Sequence, residues 1–237
     1  MQIWNSWGNE GSILEPKIGS SSLGMLCELI GVASPLRDSS LAEVVDKVPP
    51  ARLPEHRLIS VDPEIRVRHA RGKSLPDWLA LRSGEVGVFP DGVAYPESAE
   101  EVRELLSFSR ENDICVIPYG GGTSVVGHIN PLAGERAVLT VALGRMNTLL
   151  ELDRESQIAP FGAGTPGPLV ESLLKAEGYT LGHYPQSWEF ATVGGWVASR
   201  SSGQQSLRYG RIEQLFAGGR IETPQGTLEI PTFPASS

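Results

Sequence analysis

The chain has 237 residues, of which 40% are hydrophobic and 20% are charged, with a formal net charge of -8. Such a mix is typical of a globular protein with a packed core. The acidic balance and the absence of any basic run argue against nucleic-acid binding, because that requires Lys and Arg to neutralise phosphates.

Neither the cysteines nor the histidines suggest a metal site. Cys27 and Cys115 are far apart in the sequence and form no CxxC pair, and the four histidines show no HxxxH spacing. A zinc site and a disulfide framework are therefore not expected, and a reducing cytoplasm is the predicted location. No stretch approaches the roughly 20 apolar residues of a membrane helix, so no transmembrane segment is expected.

Residues 1–87 form an irregular region in which three short helices are predicted. Apolar residues at helical spacing, serine caps and a proline in a first turn mark them. The predicted helices cover residues 20–30, 41–48 and 74–84.

From residue 88 the pattern changes to short strands that alternate with helices. Strands are predicted at residues 92–95, 114–117, 137–141, 148–152 and 157–161, followed by a hairpin at 219–230. Helices are predicted after the capping-box signature Ser98–Glu101, over residues 166–177 and over 192–200. This alternation predicts an α/β or α+β arrangement with helices packed on sheets.

The strongest local signal is a glycine-rich segment that follows a predicted strand. It reads Pro118-Tyr119-Gly120-Gly121-Gly122-Thr123-Ser124. Consecutive glycines lose much backbone entropy on folding and suit a loop with unusual dihedral angles. Their N–H groups can point into one concavity and hold an anion such as a diphosphate, and two hydroxyl groups add donors. A plain glycine-rich turn is the alternative.

Two further segments bear on such a site. Gly162–Gly167 matches GxGxxG, but the second strand with an acidic end that a Rossmann fingerprint requires is missing, so a turn near the same ligand is the preferred interpretation. Residues 183–200 combine hydrogen-bonding side chains, glycines and aromatics before a helix of small residues. The start of that helix suits an anion, and a capped, closely packed helix is the alternative. Arg200 either clamps a phosphate or forms a surface ion pair.

Taken together, these segments resemble the FAD-binding domain of the vanillyl-alcohol-oxidase superfamily, which has the PCMH-type fold, and within it the FAD-binding oxidases that are similar to alkyl-dihydroxyacetone-phosphate synthase. The residues that carry the resemblance are Trp4–Gly8, His69–Asp77, Pro118–Val125, Gly182–Arg200 and Tyr209–Glu213. The resemblance implies an α+β fold with two α/β-type subdomains that hold FAD between them. It divides the chain into a mostly helical N-terminal extension, residues 1–87, and an FAD-binding domain, residues 88–237, that ends before the cap domain.

The resemblance also implies the cofactor site. Noncovalent FAD is expected, because Thr123 stands where some relatives carry a histidine that links the flavin. Residues 118–124 would wrap the diphosphate. Further cofactor contacts would come from Pro185, Gln186, Ser187, Trp188, Glu189, Phe190, Ala191, Ala198, Ser199, Arg200 and Ser201.

No Ser–His–Asp order, paired carboxylates or nucleophile elbow is visible, so a cofactor is expected to carry the chemistry and no catalytic residue is assigned. The resemblance implies a synthase-like transferase that exchanges an acyl group for a fatty alcohol without net redox change. The alternatives are an FAD-dependent oxidase or dehydrogenase of a 2-hydroxy acid or alcohol, and a fragment that is inactive alone. The implied partners are FAD and a small-molecule substrate, phosphorylated or lipid-like, with a homodimer expected for the full-length protein.

Overall fold

The computed structural model describes residues 2–11, 19–31 and 38–231. Over these residues the chain is an α+β protein, as predicted, with a four-stranded sheet, a separate hairpin and surrounding helices. The strands are β1 (Ile59–Ser60), β2 (Gly92–Ala94), β3 (Cys115–Tyr119), β4 (Val138–Ala142), β5 (Gly219–Thr223) and β6 (Gly226–Ile230). The α-helices are α1 (Ser20–Ile30), α2 (Leu41–Val45), α3 (Pro63–Arg68), α4 (Leu75–Ser83), α5 (Ala99–Glu111), α6 (Gly167–Ala176), α7 (Val193–Ser199), α8 (Ser206–Tyr209) and α9 (Ile212–Leu215), and a 3-10 helix covers Leu143–Arg145.

Strand β4 lies inside the four-stranded sheet, whose order is β1-β2-β4-β3. It pairs in parallel with β2 and with β3, while β1 is antiparallel to β2. Every residue of β4 is buried, as expected for a mainly apolar strand inside a parallel sheet. The strands predicted at 92–95, 114–117 and 137–141 are confirmed, with ends that differ by one or two residues.

Helix α5 packs against this sheet and is capped by Ser98. The Ser98 hydroxyl accepts the N–H of Glu101 at 3.2 Å, as the predicted capping box requires. The Glu101 carboxylate instead accepts the N–H of Glu97 at 2.7 Å, so only one half of the box forms. Leu105 and Ile114 then join Leu139 and Val141 of β4 in one buried core.

A second core lies in the N-terminal region. Val44, Val67 and Leu81, one from each of helices α2, α3 and α4, are almost fully buried there. Trp4 is partly buried and packs against this core. The N-terminal region is thus held by its own apolar contacts as well as by β1, which pairs with β2. The domain boundary expected at residue 87 stays a prediction.

The helices predicted in this region are confirmed, with one change of length. Helices α1 and α4 agree with the predicted ranges to within one residue. Helix α2 ends at Val45 instead of residue 48, because the residues after it form tight i to i-3 turns before two prolines. The sequence pattern misses α3, since Asp62-Pro63 has the composition of a turn. In the structure Asp62 caps α3 and Pro63 occupies its first position.

The prediction of two strands at residues 148–152 and 157–161 is wrong. Only isolated bridges form there, between Leu149 and Phe161 and between Asp153 and Ile158. Pro160 accepts a hydrogen bond from Leu150 but has no N–H to return one, so the ladder is interrupted. The segment is an irregular hairpin instead of a pair of strands.

A third core surrounds helices α6 and α7. Val170, Leu174, Trp196 and Ile212 are buried in it. The predicted helices at 166–177 and 192–200 and the hairpin at 219–230 are confirmed as α6, α7 and β5–β6. No helix in the described ranges combines the length and apolarity that would let it cross a bilayer.

Candidate cofactor site

The glycine-rich segment leaves the end of β3 and runs directly against the backbone that precedes α7. A Cβ on Gly121 would lie 2.6 Å from the carbonyl carbon of Phe190, which is closer than real side chains approach. A Cβ on Gly120 would meet the Thr192 side chain, and Gly122 has a φ of +68 with the Tyr119 ring beside it. Glycine is therefore required here for two backbones to touch and for one left-handed residue.

The same segment carries a row of free donors. Within the ranges that the structure describes, no backbone N–H from residue 120 to residue 125 donates a hydrogen bond. The segment is nevertheless fixed in place, because Ser124 accepts the N–H of Lys73 at 2.6 Å. Successive backbone N–H groups that point into one concavity can bind an anion. The free N–H groups of this loop are donors of the kind that a phosphate group accepts.

The second predicted segment, Pro185–Ala191, is a compact turn that leads into α7. Ser187 accepts the N–H groups of Phe190 and Ala191 at 3.0 and 2.8 Å, and Trp188 donates to Pro185 at 2.9 Å. Gln186 and Glu189 are exposed. Thr192 then caps α7 with its side chain. The structure thus brings the first two predicted segments, 118–124 and 185–191, into direct contact.

The third predicted segment, Ala198–Ser201, lies at the other end of α7. A helix of this length spans roughly 10 Å, so this segment is separated from the glycine-rich loop. The Ser199 hydroxyl donates to Gly195 within the helix, at 2.7 Å. Arg200 is exposed, has a left-handed backbone and pairs with Glu213 at 3.3 Å, so it forms the surface ion pair that was one of its two interpretations.

Ser201 is held by a buried histidine. The Oγ of Ser201 and the Nε2 of His183 are 2.7 Å apart, and the His183 ring packs edge-on against Trp196. Burial lowers the pKa of His183, which favours the neutral ring. Its Nδ1 atom is buried and has no hydrogen-bond partner in the described part of the chain. His183 therefore orients the Ser201 hydroxyl.

The GxGxxG segment serves packing. A Cβ on Gly162 would lie 2.7 Å from the Met146 carbonyl carbon, and one on Gly164 would lie 3.0 Å from the Cα of Gly144. The segment follows an isolated bridge at Phe161 and no named strand. A Rossmann fingerprint requires a strand directly before its glycines, and none is present here among the described residues. The glycines instead let the chain pack closely against the backbone of residues 143–147 before α6 begins.

Sequence reasoning misses Glu171, which organises the approach to His183. Glu171 is 3% exposed and accepts hydrogen bonds from Thr180 at 2.7 Å and from the N–H groups of Leu181 and Gly182 at 3.1 Å. Its signal in the sequence is a carboxylate on the apolar face of a helix. A buried charge of this kind has to be matched by several donors, as it is here.

Sequence reasoning also misses how the loop after α3 supports the glycine-rich segment. Gly72 donates to the Asn130 side chain at 2.9 Å, and Asn130 donates to Asp77 at 2.6 Å. Asp77 is buried and completes the capping box of α4 with Ser74. The C-terminal end of the glycine-rich loop, at Ser124, and Asn130 after it are therefore anchored to the N-terminal region.

The comparisons with known proteins agree with this geometry. Residues 90–230 match the family described as "FAD binding domain". The chain belongs to this family of FAD-binding domains, and FAD is its cofactor. No group of His, Cys, Asp and Glu residues suited to a metal ion occurs within the described ranges.

More particular similarities point in the same direction. The alkyldihydroxyacetonephosphate synthase of Dictyostelium discoideum is 42% identical over 165 residues, which cover 70% of this chain and 27% of that protein. A D-lactate dehydrogenase of Archaeoglobus fulgidus is 33% identical over 153 residues, covering 62% of this chain and 32% of the relative. A solved structure of alkyldihydroxyacetonephosphate synthase superposes with a TM-score of 0.82 at 31% identity, covering 97% of this chain and 48% of that one.

The predicted PCMH-type fold and the resemblance to the synthase are thus confirmed. The chain spans 27% and 32% of the two curated relatives. The residues present fit the cofactor, because in the described ranges the glycine-rich loop offers backbone N–H groups without partners, and its glycines let it pack directly against the residues before α7.

Proposed function

We propose that this chain binds FAD noncovalently, with the diphosphate in the loop of residues 118–124. The observation that carries the proposal is the row of N–H groups from residue 120 to residue 125 that have no partner among the described residues, next to glycines that leave no room for side chains. Thr123 has no nucleophilic ring nitrogen, so it supports a cofactor that is held without a covalent bond.

The remaining predicted residues extend the proposed site along α7. Residues 185–191 touch the glycine-rich loop and would lie beside the diphosphate. Ala198–Ser201 would contact the cofactor further along, and the Ser201 hydroxyl oriented by His183 is the polar group there. FAD is an elongated molecule, so contacts at both ends of α7 are compatible with a single cofactor. When bound, FAD would supply the redox-active or electrophilic ring that the protein side chains lack.

We further propose that the chain is part of a synthase-like enzyme that exchanges an acyl group for a fatty alcohol on dihydroxyacetone phosphate. The support is the similarity to alkyldihydroxyacetonephosphate synthase in sequence and in structure. Because the chain spans 27% of that relative, we expect it to be inactive alone. A phosphorylated or lipid-like substrate, a homodimer of the full-length protein and a cytoplasmic location belong to the same proposal.

The second candidate is an FAD-dependent dehydrogenase or oxidase, which the similarity to a D-lactate dehydrogenase favours. The two reactions differ in their electron balance. A dehydrogenase substrate such as D-lactate bleaches the flavin in the absence of oxygen, whereas acyl-to-alkyl exchange consumes no electron acceptor. An anaerobic titration of the flavin spectrum distinguishes them.

The cofactor proposal is tested by incubating the purified chain with FAD, removing free ligand and recording the visible spectrum. Flavin absorbance that stays with the folded protein and is released into the supernatant by acid is the expected result. Flavin that remains in the acid pellet would contradict noncovalent binding. A colourless protein would refute FAD binding by this chain.

A further inference from the structure

The segment Gly72-Lys73 is locked to the end of the glycine-rich loop. The Lys73 N–H donates to Ser124 at 2.6 Å, and Gly72 packs so tightly that a Cβ there would lie 3.3 Å from the Ser124 carbonyl carbon and closer still to its oxygen. The hydrogen bond from Gly72 to Asn130 fixes the segment from the other side. The position of Lys73 relative to the loop is therefore set by the backbone.

The Lys73 side chain extends into a narrow space between that loop and the N-terminal segment. Its Nζ donates to the carbonyl of Ser6 at 2.9 Å, and the surrounding space is lined by Trp7, Gly121 and Thr123. Trp7 in turn packs edge-on against Phe190, at 5.2 Å between ring centroids. The N-terminal residues thus hold the ammonium group over the glycine-rich loop.

Lys73 has no anionic partner in the part of the chain that the structure describes. Burial lowers its pKa, because removing water disfavours the ammonium form and no carboxylate offsets that effect. An ammonium group has three donors, and Ser6 uses one of them. Two N–H groups are left in a partly buried position, where an unpaired charge is unfavourable.

The adjoining cavity has an unusual charge for this acidic chain. It has a volume of about 180 Å³ and contains no Asp or Glu in its lining, although the net charge of the chain is -8. Three cations line it. Arg68 pairs with Glu64 at 2.8 Å, and Arg71 lies 3.9 Å from the Asp77 carboxylate and donates to the Val86 carbonyl at 2.9 Å. Of these three cations, Lys73 is the one without a carboxylate partner among the described residues, so its charge is left for a ligand.

We propose that Lys73 is a cofactor-binding residue whose ammonium group contacts the FAD diphosphate held by the glycine-rich loop, and that residues 2–9 position it there. The proposal rests on the proposed function of the loop. It assigns a role to the N-terminal region, which lies outside the family match at residues 90–230. The loop supplies N–H dipoles, and the N-terminal region supplies a full positive charge, which makes a stronger hydrogen bond to a diphosphate than a neutral donor does.

The test compares the dissociation constants for FAD of the wild-type chain and of the variants Lys73→Met, Lys73→Arg and Lys175→Met, at low and high salt. Lys175 is an exposed lysine at the end of α6 and serves as the matched control. Lys73→Met is expected to weaken binding by roughly ten- to hundredfold at low salt and to flatten the salt dependence, since a charge-assisted hydrogen bond is lost. Lys73→Arg is expected to recover part of the affinity, and Lys175→Met to behave as wild type.

Two results would overturn the assignment. One is a Lys73→Met protein with the affinity and salt dependence of Lys175→Met. The other is a Lys73→Met protein that melts at a lower temperature and loses FAD equally at both salt concentrations, which indicates a purely structural lysine. A wild-type chain that retains no FAD refutes the proposed function and this assignment together, whereas a wild-type chain that binds FAD leaves the variants to decide.

Discussion

Gly121→Ala tests the contact between the glycine-rich loop and the backbone before α7. The new Cβ would lie 2.6 Å from the Phe190 carbonyl carbon, whereas real Cβ atoms keep at least 3.0 Å, and the carbonyl oxygen is nearer still. Neither neighbour is a flexible side chain, so the two backbones have to separate. Overpacking of this kind lowers the free energy of unfolding by about 1–3 kcal/mol.

The same displacement moves the N–H groups of the loop away from the proposed diphosphate. Losing one hydrogen bond to a charged group weakens binding by about 1.5–3 kcal/mol, or roughly ten- to hundredfold. Urea denaturation measures the first effect and titration with FAD measures the second. Gly134→Ala is the control, because Gly134 has nothing within 4 Å of an added Cβ. A Gly121→Ala protein that matches Gly134→Ala in stability and in FAD affinity would refute the reasoning.

Three further outcomes are expected. Glu171→Ala should lower the free energy of unfolding by about 2–3 kcal/mol, because it leaves buried donors without an acceptor, while the exposed Glu155→Ala should change it by less than about 0.5 kcal/mol in denaturant titrations. Burial lowers the pKa of His183 in the folded state, so the free energy of unfolding should be greatest above about pH 6.5 and should fall as the pH drops. His183→Asn should make the free energy of unfolding less dependent on pH in this range. An unchanged pH dependence in this variant would contradict the prediction. Burial acts to raise the pKa of Asp91, but hydrogen bonds from Arg52 and from backbone N–H groups outweigh this effect and lower the pKa. The free energy of unfolding should therefore decrease below about pH 4 in the wild type, and it should decrease less steeply in Asp91→Asn.

Much of the fold could be predicted because local signals and tertiary packing agree. The capped helices α4 and α5, the apolar strand β4 and the hairpin β5–β6 all follow from caps, periodicity and turn residues. The irregular hairpin at 148–161 could not be predicted, because its alternating pattern resembles strands and the missing N–H of Pro160 has an effect only when the partner residue is known.

The candidate site also contains features that could be predicted from the sequence and features that could not. The glycine-rich loop stands out in the sequence because three glycines in a row have few structural uses. Its contact with Phe190 and the bond from Lys73 to Ser124 join residues that are far apart in sequence, and no periodicity encodes them. Glu171 also escapes detection, since two of its three donors, Thr180 and Leu181, lie outside every segment that stands out in the sequence.

The position of β4 between β2 and β3 sets the order of events as the chain is synthesised. In the described part of the chain β3 pairs with β4 and with no other strand, and β4 is translated after it. When the glycine-rich loop leaves the ribosome, the strand that precedes it therefore has no partner. At about 5–20 residues per second, this interval is on the order of seconds. Residues 190–192, which contact the loop, emerge later still, so the contact between these two segments can form only after the whole of β4 has been translated.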